Sequence, residues 1–61
     1  MPPHRYHIHR RVERAKTLLA DRERSITAVA LAIGFGASSS FATAFRKATG
    51  LTPLQYRRSL F

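Results

Sequence analysis

Apolar positions recur along this chain at three- and four-residue intervals rather than in alternation, which predicts helices throughout. Ile8, Val12, Ala15 and Leu19 follow one another at spacings of 4, 3 and 4 and form one stripe, flanked by Leu18. Pro3 suits the first turn of that helix, where its missing N–H leaves nothing unsatisfied. The first element is expected from residue 3 to residue 21 or 24, with Arg10, Glu13, Arg14 and Lys16 on its polar face. A short second helix is expected over about residues 26–33. Ser25 is its N-cap, Ile26, Val29, Ala30 and Ile33 face inward, and Gly34 stands at a left-handed C′ position. The third helix is expected from residue 38 or 39 to 49, stopped by Gly50. Phe41, Ala44, Phe45 and Ala48 share one side of it, opposite Ser39, Thr43, Arg46 and Lys47. A fourth, short helix follows Thr52 as N-cap and Pro53 as first helical residue, and carries Leu54, Tyr56, Arg57 and Arg58.

Charge narrows the class of partner. The 61 residues hold 11 Lys and Arg against 3 Asp and Glu, a formal charge of +8. The acids are Glu13, Asp21 and Glu23; beyond Arg24 the chain carries Arg46, Lys47, Arg57 and Arg58 and no acid at all. That balance favours a polyanion, with nucleic acid ahead of an anionic membrane surface. There is no cysteine, so no disulfide or thiolate staple is available to a chain of marginal size. No apolar run approaches the roughly 20 residues of a membrane span, and the first residues lack the apolar stretch of a signal peptide. A soluble protein in a reducing cytoplasm, without membrane contact, is the expectation.

Other chemistry finds little support. His4 and His7 share a helix face at i, i+3, but tetrahedral zinc needs three or four ligands, and neither cysteine nor a nearby carboxylate completes the set. The histidines are read as added positive charge under mildly acidic conditions, and no metal or cofactor is expected. No Ser/His/Asp arrangement, phosphate-cradling glycine loop or cofactor fingerprint is present, so the chain is read as a non-enzyme.

Helix, tight turn, helix is the central feature. Ala30 keeps the crossing close, and Gly34 allows a backbone angle that a side chain would oppose. In such a unit the second helix can enter the DNA major groove while the start of the first meets the backbone. Ser25 and Ile26 are accordingly phosphate candidates at a helix N-terminus.

The run Gly34-Phe35, five residues, Phe41, three, Phe45, four, Gly50, two, Pro53, two, Tyr56 resembles the AraC/XylS family of bacterial transcription regulators. Upstream, Arg11-Val12-Glu13-Arg14-Ala15 with Leu18-Leu19 is similar to that family's linker helix. The resemblance implies an all-α fold: a homeodomain-like helix-turn-helix unit over residues 25–61, preceded by a long linker helix over residues 1–24. The family's DNA-binding module has two such units joined by the linker, so this chain resembles the linker plus the second unit. Pro3-His4-Arg5-Tyr6 and Pro53-Leu54-Gln55-Tyr56 are both P-x-x-Y, a motif that closes each unit in the family. Residues 1–6 are therefore expected to be the tail of a preceding first unit. At about 100° per residue Tyr6 points some 150° away from the apolar stripe, where this chain offers it no companion.

The resemblance also implies where DNA is met. The recognition helix, about residues 38–49, supplies Ser38, Ser39, Thr43 and Arg46 as base-edge candidates; Ser25, Ile26, Ser40, Lys47 and Arg57 are phosphate candidates. The family often carries Gln, His and Arg where this chain has Ser38, Ser40 and Thr43. Bidentate base reading needs Arg, Lys, Asn or Gln, and only Arg46 is long enough here. Backbone-dominated affinity with weak sequence discrimination is the expectation. Double-stranded DNA is the expected partner, with RNA polymerase for a full-length regulator and homo-oligomerisation through the exposed face of the linker helix. Two other readings compete: a self-associating fragment with little DNA affinity, and a cationic amphipathic peptide acting on membranes or RNA.

Overall fold

The computed structural model describes residues 3–61, with side chains from His9 onward. Four helices follow in order: α1 Pro3–Leu19, α2 Ile26–Ala32, α3 Ser38–Thr49 and α4 Pro53–Leu60. No strand occurs among the described residues. The all-α expectation holds, and α2 and α4 begin at the caps their sequence predicts, Ser25 and Thr52.

Helix α1 stops earlier than its periodicity suggests. Asp21 takes over the chain: its carboxylate accepts the Glu23 N–H at 3.1 Å, and its own N–H donates to the Leu18 carbonyl at 3.1 Å. A short Asp side chain that bonds nearby backbone competes with the helical ladder, and here it turns the chain before residue 24. At the start of α2 the Ser25 hydroxyl oxygen accepts the Ala28 N–H at 2.9 Å.

The turn after α2 has a specific geometry. Gly34 sits at φ +99°, the Phe35 N–H donates to the Ala30 carbonyl at 2.9 Å, and the Gly34 N–H to the Leu31 carbonyl at 3.2 Å. This paired arrangement closes the helix through a left-handed residue, which only glycine adopts at little cost. Gly50 ends α3 in the same region of backbone space, at φ +85°. Thr52 then caps α4 reciprocally with Gln55: the Gln55 N–H donates to Thr52 Oγ1 at 3.2 Å, and the Thr52 N–H to Gln55 Oε1 at 2.9 Å.

Helix α1 packs against all three others, and one core results. Val12, Ala15 and Leu19 from α1, Val29, Ala30 and Ile33 from the α2 segment, and Phe41 and Phe45 from α3 are buried together. Leu18, Ile26, Phe35 and Tyr56 pack around them half-buried. The side chains of Ile8, expected on the apolar stripe, and of Tyr6, expected to point away from it, lie outside the described residues. Ala48, expected on the inner side of α3, is exposed near the helix end.

Four rings run through the core in sequence. Phe35, Phe41, Phe45 and Tyr56 have successive centroid separations of 5.6 Å, the last two pairs edge-to-face. Such pairs contribute beyond their area alone, about 0.5–1.5 kcal/mol each. The Arg11 guanidinium closes one end, 5.5 Å from the Phe35 centroid, and so fastens α1 to the turn. Among the described residues no polar or charged side chain is buried.

Phe45 is fully buried between two rings. Phe45→Ala is expected to remove about 3–5 kcal/mol, the whole stability of a domain this small, and to leave a chain without cooperative unfolding in a urea titration followed by circular dichroism. Gly36 has no left-handed φ and open space around it, so Gly36→Ala is expected to raise the urea midpoint, by about 0.4–1 kcal/mol.

Candidate nucleic-acid interface

Burial of Phe41 and Phe45 dictates which residues α3 turns outward. At about 100° per residue, Ser39, Thr43 and Arg46 fall within roughly 60° of one another, opposite the two rings. Ser40 and Lys47 flank that arc on one side, and all five are exposed. Ser39 to Arg46 spans about 10 Å along the helix axis, close to three base-pair steps. Five of the sequence's six α3 candidates therefore share a face.

Ser38 does not. It stands about 100° from Ser39, toward the core side, and is half-buried. Its position fits a helix start better than a base edge.

The chemistry of the face is sparse. The Thr43 hydroxyl donates to the Ser39 carbonyl at 3.0 Å, which leaves its methyl group and an acceptor lone pair for a ligand. Ser39 and Ser40 keep hydroxyls directed to solvent. Arg46 and Lys47 occupy the last turn of α3, where cations also complement the helix dipole. Two of the three acids are engaged elsewhere: Glu13 pairs with Lys16 at 3.0 Å and Asp21 with Arg24 at 3.3 Å, both on exposed surface.

The start of α3 has no side-chain cap. Ala37 occupies the N-cap position in extended conformation, so the first N–H groups of the helix remain open at its positive end. At the other candidate anion position, the start of α2, Ser25 and Ile26 present the cap and the first helical N–H.

Arg57 departs from its sequence reading. Its Nε donates to the Leu19 carbonyl at 3.0 Å and one Nη to the Asp21 carbonyl at 3.1 Å, so the expected phosphate contact is occupied by the end of α1. The physical reason is register: α4 packs beside α1, and residue 57 falls against its C-terminal carbonyls. Sequence reasoning also missed Arg22, whose guanidinium lies 4.6 Å from the Phe61 ring centroid, and which lines a shallow basic groove with Arg57 and Arg58. No spacing rule could have announced these contacts, since they join residues over 35 positions apart.

His9 is exposed, while the side chains of His4 and His7 lie outside the described residues. Among the described residues no group of three or more His, Cys, Asp or Glu gathers to hold a metal, and no helix is long and apolar enough to cross a membrane.

Comparison with known proteins bears on this face. A family described as "Helix-turn-helix domain" matches residues 1–59. The chain is 40% identical over 55 residues to the probable transcriptional regulator LumQ of Photobacterium leiognathi, covering 90% of this chain and 22% of that protein. It is 41% identical over 59 residues to the uncharacterized HTH-type transcriptional regulator YobQ of Bacillus subtilis, covering 97% and 24%. It is 42% identical over 48 residues to the melibiose operon regulatory protein of Escherichia coli, covering 79% and 16%. The chain thus spans less than a quarter of the length of these relatives. No solved structure matches it.

The open N-terminus of α3 gives a prediction in which stability and binding part company. Ala37→Asp is expected to stabilise the fold by about 1 kcal/mol in urea denaturation, because it caps an unsatisfied end. The same carboxylate adds negative charge at the N-terminus of α3 and should weaken binding to a DNA duplex. An equal or higher affinity would place the nucleic acid elsewhere.

Proposed function

Because the chain belongs to the AraC-type helix-turn-helix domain family, whose members are transcription regulators rather than enzymes, we propose that it binds double-stranded DNA with α3 in the major groove. The observation that carries this is the outward face of α3: Ser39, Thr43 and Arg46 in one narrow arc, flanked by Ser40 and Lys47, on a segment without acids. Arg46 is the side chain suited to a guanine edge, and Thr43 offers its methyl group to a thymine. Lys47 and Ser40 meet phosphates along one strand. The start of α2, with Ser25 and Ile26, faces a phosphate of the other.

In this reading α1 is the linker helix, residues 25–61 are the second helix-turn-helix unit, and a first unit precedes them in the longer regulator. The partial coverage of the relatives and the repeated P-x-x-Y motif support that division. Activity as a regulator in the bacterial cytoplasm, contact with RNA polymerase and homo-oligomerisation through the outer face of α1 belong to that longer protein. The reciprocal cap of α4, the glycine-closed turn and the shared core are features of a folded domain. An amphipathic surface peptide has no use for them.

Fluorescence anisotropy with a random duplex at about 50 and 200 mM salt tests the reading, since each cationic phosphate contact contributes about 0.9 to the salt slope. The phosphate contact from Lys47 predicts a slope near −0.9, a loss of about 3.5-fold over that range. Lys47→Gln is expected to reduce the slope by about 0.9 for every sequence alike. Arg46→Gln is expected to remove about 1–3 kcal/mol of preference at a single base pair once a preferred site has been selected. A slope unchanged by Lys47→Gln, together with a base preference unchanged by Arg46→Gln, would remove α3 from the groove.

A further inference from the structure

We infer that Arg57 is a positioning residue for DNA binding: from α4 it fixes the connection between α1 and α2, and with it the start of α2, without touching DNA. This rests on the DNA-binding reading above. Residues 20–25, which make that connection, are all exposed, so no buried side chain anchors them. Their placement depends on hydrogen bonds instead.

Asp21 is where those bonds meet. Its carbonyl accepts the Arg24 N–H at 3.2 Å and an Arg57 Nη at 3.1 Å. Its carboxylate accepts the Glu23 N–H at 3.1 Å and pairs with Arg24 Nε at 3.3 Å. The Arg24 and Glu23 interactions are local and move with the loop. Arg57 is different, because it comes from a helix 36 residues away whose own seat in the core is set by Pro53 and Tyr56.

The chemistry of the side chain fits this task. Leu19 ends α1, so its carbonyl is one of the helix's four orphan acceptors, and a cation there complements the negative end of the dipole. The planar guanidinium presents Nε–H and Nη–H in a rigid fork, which spans the Leu19 and Asp21 carbonyls at 3.0 and 3.1 Å. An ammonium group offers no such fork. Phe61, at the end of the same helix, adds a second tie by lying against Arg22 of the connection. Four residues beyond Asp21 stands Ser25, the cap of α2. Arg57 therefore acts on the phosphate-facing start of α2 through the main chain.

The experiment uses the 61-residue chain in two arms. Nuclear magnetic resonance follows the Arg57 Nε–H in the free chain and at saturation with a random duplex. Anisotropy at about 50 and 200 mM salt compares Arg57→Lys and Arg57→Gln with the unaltered chain, at a temperature where circular dichroism shows all three fully helical. The expected result is an Nε–H protected from solvent exchange and retained with DNA bound. Arg57→Lys, though it keeps the charge, should lose about tenfold in affinity with an unchanged salt slope. Rescue by Arg57→Lys, or a slope reduced by about 0.9 in Arg57→Gln, would make Arg57 a phosphate contact and overturn the inference. Should the variants unfold, the first arm decides alone: an Nε–H that exchanges as freely as that of Arg58, or shifts onto DNA, overturns it. Failure of the unaltered chain to bind duplex at the lower salt would sink the DNA-binding reading itself, a result distinct from either.

Discussion

Burial of Phe41 and Phe45 is the constraint on which the rest of the molecule depends. They stand one helical turn apart on α3, and at about 100° per residue their common direction fixes the rotation of that helix about its axis. Once both rings point into the core, Ser39, Thr43 and Arg46 have nowhere to go but outward. The rings also fix neighbours: Phe41 meets Phe35 from the turn, and Phe45 meets Tyr56 from α4. The same two side chains that hold the fold together thus aim its face. A substitution there would act on binding through orientation before any contact with nucleic acid is altered.

That coupling explains what the sequence disclosed and what it withheld. Helix positions were legible because periodicity, caps and glycines are local signals: Ser25, Gly34, Gly50 and Thr52 stand where their chemistry requires. The outward arc of α3 followed from the same periodicity, and only Ser38 was assigned to the wrong side. The end of α1 was misjudged because apolar spacing says nothing about an Asp side chain that captures the next backbone amide. The Gln55 half of the α4 cap was readable from the four-residue pattern but is easily passed over beside Pro53. Arg57 was beyond reach, since its partners are main-chain carbonyls at the end of α1 and in the connection after it, and carbonyls carry no sequence signature.

Stability and function divide the surface unevenly. A domain of 61 residues without cysteine has little stability to lose, yet α3 begins at an alanine with no side-chain cap. An Asp or Ser at that point would hold the helix more firmly, and an Asp would also bring negative charge to the N-terminus of the helix proposed to meet a polyanion. The uncapped start is thus consistent with a helix whose positive end is meant to stay open. The basic residues follow the same division: those paired with acids lie on α1 and its connection to α2, while Arg46 and Lys47 stand on α3, far in sequence from Glu13, Asp21 and Glu23.

Short side chains on the outward face set the limit of what one such unit can read. A serine hydroxyl makes a single hydrogen bond that either of two base pairs can satisfy, and Thr43 has already given its proton to the Ser39 carbonyl. Only Arg46 can form the paired contacts that distinguish guanine, so a single strongly specified position is the most this face supports. Discrimination in a genome requires more than that, so the proposed function calls for additional base contacts from a second reading element at a fixed distance. A fixed distance needs a rigid spacer, the role proposed for α1, a helix of 17 residues held at its C-terminal end by Leu19 in the core and by the Arg57 fork. The interactions that seem furthest from DNA are therefore the ones that would set the register between two readers, and the sparse chemistry of α3 is what makes that register necessary.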